Sequence, residues 1–150
     1  MMKLIEDLKE FARLLVAHEV RFLVVGGAAV NTLGYLRMTE VFDFWIDRSP
    51  ENAYRLVTAL DAFGFGGEFD RKDLLEPGMV LMMGRPPNRI DLLTSITGRE
   101  FDDCWERRTH ETFDGILLPM IALEDLLINK LASGRPRDLA DVAEFEKRKK

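Results

Sequence analysis

Leu4, Ile5, Leu8, Phe11, Leu15 and Val16 recur at helical spacing with Lys, Glu and Asp between them, which predicts an amphipathic helix over 3–18. The unbroken apolar stretch that follows predicts a buried strand over 21–25, halted by Gly26 and Gly27. A short helix is expected over 27–34, ending at Gly34, then a turn over 35–40 that carries Arg37 and Thr39. In a second strand, 42–47, Phe42, Phe44 and Ile46 face one way, and Asp43, Trp45 and Asp47 the other. Ser49 and Pro50 are the cap and first position of a helix that runs to Phe63 and stops in a glycine-rich turn, Gly64 to Gly67.

Downstream, 70–78 reads as a loop with one helical turn. Strands over 79–83 and 89–93 are joined by the hairpin segment Gly84 to Asn88. A short helix is expected over 100–107. Residues 112–118 hold a turn, Asp114-Gly115, and a strand that stops at Pro119. A helix over 123–131 is broken by Ser133-Gly134-Arg135-Pro136, and a last helix covers 137–147. This alternation predicts an α/β (α+β) protein with a mixed sheet of about four or five strands and helices packed on it. The 150 residues suit a single domain with a real core.

Composition narrows the function classes. Hydrophobic residues at 47% and charged residues at 31% are ordinary for a globular chain. The net charge of -5 argues against a broad electrostatic hold on nucleic acid. The basic tail Lys147 to Lys150 is expected to be a solvated end. Cys104 is alone, so no internal disulfide forms, which fits a reducing compartment. The first ten residues are charged and periodic, unlike a signal peptide, and no apolar run approaches the roughly 18 residues of a membrane span. A soluble cytoplasmic protein is the expectation. Gly26, Gly27 and Gly34 do not make the dinucleotide-binding spacing, and His18 and His110 lack companions for zinc. Trp45 and Trp105 are expected in the core or at its rim.

The candidate chemistry lies in two carboxylates. Asp43 sits inside an apolar strand, where a charge is costly unless something pairs with it. Asp91, in Arg89 to Leu93, points opposite to Ile90 and Leu92. If the two strands are neighbours, both carboxylates converge on one face and can hold a hard cation such as Mg²⁺. The two glycines upstream let a phosphate approach the backbone at the start of the helix.

Gly26-Gly27, Arg37-Met38-Thr39, Asp43-Phe44-Trp45, Ile90 to Ser95 and Ser133 to Asp141 together resemble the nucleotidyltransferase fold shared with DNA polymerase β. Within it, the chain is most similar to small bacterial members, including nucleotidyltransferase toxins of abortive-infection and toxin–antitoxin systems, over roughly 20–145. The resemblance implies transfer of a nucleotidyl group from an NTP to a hydroxyl on RNA (tRNA among the candidates) or protein, with Mg²⁺ or Mn²⁺, and a cognate antitoxin as partner. It implies that Gly26, Gly27, Arg37 and Thr39 contact the nucleotide. Asp43 and Asp91 match the second and third metal-binding carboxylates, and Lys130 and Arg137 would offset phosphate charge. Asp138 and Asp141 resemble a family Arg-Pro-Lys-Asp-x-x-Asp segment, with Arg137 where lysine is usual.

One position departs from the pattern. The paired motif wants a carboxylate two residues before Asp43, and Val41 stands there. Carboxylates at i and i+2 share a strand face, which is how both reach the metals. Glu40 falls on the other face, and Asp47 lies about 13 Å further along the strand. Two readings stay open: an impaired nucleotidyltransferase, or a catalytically inactive nucleotide- or partner-binding module of the same fold.

Overall fold

A computed structural model describes residues 6–33, 41–65, 67, 69–85 and 89–148. Its elements are α1 (Glu6–Ala17), β1 (Phe22–Val25), α2 (Gly26–Thr32), β2 (Val41–Ile46), α3 (Pro50–Phe63), β3 (Val80–Met83), β4 (Arg89–Leu93), α4 (Phe101–Glu106), β5 (Thr109–Phe113), β6 (Ile116–Met120), α5 (Leu123–Ser133) and α6 (Pro136–Arg148). A single 3-10 turn, Asp73–Leu75, interrupts the loop before β3. Arg37 and Thr39, and the expected helix end at Gly34, lie outside the described residues.

The six strands form one mixed sheet in the order β3-β4-β2-β1-β6-β5. β1 and β2 are antiparallel neighbours, whereas β2 pairs with β4 and β1 with β6 in parallel. All four residues of β1 are buried, as its unbroken apolar sequence requires of an interior strand.

The sheet is packed through aromatic rings on both faces. Phe44 meets Phe11 of α1 at 5.6 Å and Phe22 at 5.5 Å, and Phe11 also touches Phe63 of α3. On the other face Trp45 sets its ring edge-on to Phe101 of α4, at 5.1 Å. α3 begins as its sequence dictates: the Asn52 N–H donates to Ser49 Oγ, Pro50 follows the cap, and Gly64 closes the helix at φ +99°.

Two expectations are corrected. The sheet has six strands, not four or five, because 109–120 is a hairpin with two strands rather than a turn and one. β5 carries Thr109, His110, Glu111 and Thr112 at an exposed sheet edge, so it lacks the apolar alternation that marks a half-buried strand. Nor does Pro119 end β6. It lies within the strand opposite His110, and beyond it the Ile121 N–H still donates to the Val24 carbonyl at 3.1 Å. Proline removes one donor, not the ladder around it. No helix among the described residues is long and apolar enough to cross a membrane.

Candidate functional site

Parallel pairing of β2 with β4 sets Asp43 directly beside Asp91, and two residues earlier sets Val41 beside Arg89. Strand alternation puts all four side chains on one face. That face opens into a cleft of about 950 Å³ whose lining includes Gly26, Gly27, Lys130, Arg135 and Arg137. The cleft therefore gathers every candidate site residue among the described ones. The elements come from three stretches of the chain: the β1–α2 junction, the β2–β4 pair, and the α5–α6 corner.

The two carboxylates have different surroundings. Asp91 is 5% exposed and receives Arg89 through two bonds, Nε to Oδ1 at 2.8 Å and Nη2 to Oδ2 at 3.0 Å. No hydrogen bond from a described residue reaches the Asp43 carboxylate. Burial, and then the charge of Asp91 alongside, push its pKa up to about 7, while Arg89, Lys130 and Arg135 pull the other way.

Gly26 has a role that its sequence position alone does not reveal. Its φ is +65°, and a Cβ there would run into the Asp43 carboxylate. The glycine thus makes room for Asp43, whatever else approaches the backbone of the β1–α2 turn.

Lys130 does not snorkel past its leucine neighbours to solvent. It is 3% exposed, and its Nζ lies 3.0 Å from Asp138 Oδ1 and 2.9 Å from Asp141 Oδ2. Asp138 also accepts from Ser133 Oγ and from Arg135 Nε. Burial works to raise the Asp138 pKa, but the bonds from Ser133, Lys130 and Arg135 prevail and hold it at about 2. Lys130 and Asp138 line the cleft, with the lysine's charge already shared between two carboxylates.

Groups outside the cleft are committed elsewhere. Asp47 bonds Arg21 at 3.1 Å and Ser49. Cys104 is fully buried, and burial together with Asp125 pushes its thiol up to about 11, which makes it an inert core residue. Trp105 is held between guanidinium groups, 4.9 Å from Arg21 and 3.9 Å from Arg108.

The residue that the sequence reading passed over is Arg89. It stands two positions before Asp91, and the alternation that oriented Asp91 places Arg89 on the same face. Among the described residues, no three Asp, Glu, His or Cys side chains come together as a metal-binding group. The donor set is two carboxylates. Mg²⁺ accepts one or two carboxylates and completes its shell with water, so these residues fit one divalent ion. A pair of ions needs a further ligand, and the valine side chain at 41 has no oxygen to give.

A search of curated proteins finds no match to the chain. A family model described as a nucleotidyltransferase of unknown function (DUF6036) matches residues 2–148, almost the whole sequence, and the chain belongs to that family.

Proposed function

We propose that the cleft binds a nucleoside triphosphate and transfers its nucleotidyl group to a hydroxyl on RNA or protein, slowly, because one metal ligand is missing. The observation that carries this reading is the in-register pair Asp43 and Asp91, facing a cleft that basic residues also line. Asp43 and Asp91 would hold one Mg²⁺ or Mn²⁺, which supplies charge neutralisation at the phosphate when bound. The protein's own part is positioning and electrostatics. Lys130, Arg135 and Arg137 line the same cleft and would add positive charge there, Lys130 while paired with Asp138 and Asp141, and Asp91 is oriented by its two bonds to Arg89. Burial and the neighbouring Asp91 charge raise Asp43 to about 7, and a divalent ion bound between the two carboxylates would offset that cost. The resemblance to small toxins adds an RNA or protein acceptor and a cognate antitoxin to the proposal.

A second reading is favoured by Val41 and the Arg89–Asp91 clamp: a nucleotide-binding module without transfer activity. One assay separates the two. Label from each α-labelled NTP is followed in Mg²⁺ or Mn²⁺ onto total RNA and total protein, using the natural chain, Asp91→Asn and Val41→Asp. The enzyme reading expects slow transfer by the natural chain, abolished in Asp91→Asn and raised about tenfold or more in Val41→Asp. Transfer that survives Asp91→Asn contradicts the site assignment. Silence from all three folded proteins leaves the binding module.

A further inference from the structure

Arg89 is the cleft residue whose role follows from neither the carboxylate pair nor the resemblance. A guanidinium has five N–H donors in a planar fork. Asp91 uses two of them, leaving three, and the side chain remains 28% exposed toward the cleft. The bidentate contact fixes the plane of the group, so little side-chain freedom remains to be lost when an anion meets the remaining donors. Its neighbour across the strands is Val41, whose side chain offers no competing acceptor. A fixed cation therefore stands beside the position where a further carboxylate would have recruited a second metal ion. Of the other basic groups in the cleft, Lys130 is buried between Asp138 and Asp141, and Arg135 bonds Asp138 through Nε while the rest of its side chain lies in solvent, where it is not held in one plane as Arg89 is.

We infer that Arg89 is a phosphate-binding residue that takes over part of a metal ion's role, so that this cleft holds a triphosphate without a divalent cation. The inference rests on the nucleotide reading above and deepens it. It carries a second consequence. Both Asp91 oxygens are bonded to Arg89, so the guanidinium and a metal ion compete for the same carboxylate. Removing Arg89 should weaken triphosphate binding and strengthen metal binding, two changes of opposite sign that loss of structure cannot produce together.

The test uses the full chain, with inorganic triphosphate and each of ATP, CTP, GTP and UTP as ligands. Affinities are measured by calorimetry in Mg²⁺ and in chelator, and Mn²⁺ binding to the nucleotide-free protein by spin resonance. The natural chain should bind in chelator within about tenfold of its affinity in Mg²⁺. Arg89→Gln should lose at least about tenfold in chelator, the scale of a charge-assisted bidentate contact, and gain several-fold in Mn²⁺ affinity. Arg89→Lys, which keeps the charge but not the fork, should recover only part of the triphosphate binding that Arg89→Gln loses. Binding in Mg²⁺ that vanishes in chelator overturns the inference and leaves the nucleotide reading standing. Parallel weakening of triphosphate and Mn²⁺ in Arg89→Gln also overturns it, reducing Arg89 to a structural partner of Asp91. No binding by the natural chain in either condition overturns the nucleotide reading itself.

Discussion

Asp43 shows what a buried carboxylate beside a second one costs the fold. Its carboxylate is mostly shielded from water, next to a second carboxylate, and its pKa of about 7 lies well above the ordinary 3.8. Below about pH 4 both folded and unfolded chains carry the proton, and nothing is lost. Between about pH 4 and 7 the unfolded chain ionises first, so folding must take up a proton. Above pH 7 the full penalty is present. In chelator, Asp43→Asn should therefore be more stable than the natural chain at pH 8, by on the order of 1–3 kcal/mol, with the gain fading toward pH 4. Urea denaturation at the two pH values checks this. A variant that is less stable at pH 8 would mean the carboxylate is satisfied in the fold. The amide keeps the shape that Gly26 accommodates, so packing does not confound the comparison.

At the scale of elements, the cleft depends on how α5 and α6 are held. Asp125, fully buried at the start of α5, accepts bonds from Arg99 at 3.1 Å and from Arg107 at 2.8 and 2.9 Å. Burial would raise its pKa, but these guanidinium contacts outweigh it and leave the carboxyl below its usual range. At the other end of α5, Lys130 joins the two helices through Asp138 and Asp141, both buried on α6. Lys130→Met should cost about 3–5 kcal/mol in urea denaturation, because it leaves two buried carboxylates without their shared cation. A loss under 1 kcal/mol would show that water reaches the pair. Helical spacing located α5 and α6, and the Ser133 to Pro136 break between them was plain in the sequence. The fate of Lys130 was not, since it is set by how the two helices meet rather than by the residues on either side of the lysine.

Across the whole molecule, the sequence revealed elements that bury a face and hid those that do not. β1, β2 and β4 were legible from their apolar runs. Asp43 and Asp91 were legible as departures from those runs. β5 was hidden because an exposed edge strand needs no apolar pattern, and one proline masked the continuity of β6. Strand alternation gave the facing of Asp91 and equally that of Arg89. That Arg89 clamps Asp91, and that Val41 is its neighbour, follow from the β2–β4 register, which depends on the tertiary pairing of distant segments. The assembled sheet brings residues from Gly26 to Arg137 around one cleft, and the central claim is that a nucleotide occupies it. The most direct measurement is an amide resonance titration of the natural chain with each NTP in Mg²⁺. Saturable shifts centred on Gly26, Gly27, Asp43, Arg89, Asp91 and Lys130 are expected, with the β5–β6 hairpin undisturbed. Shifts centred on that hairpin, or none at millimolar nucleotide, would contradict the claim.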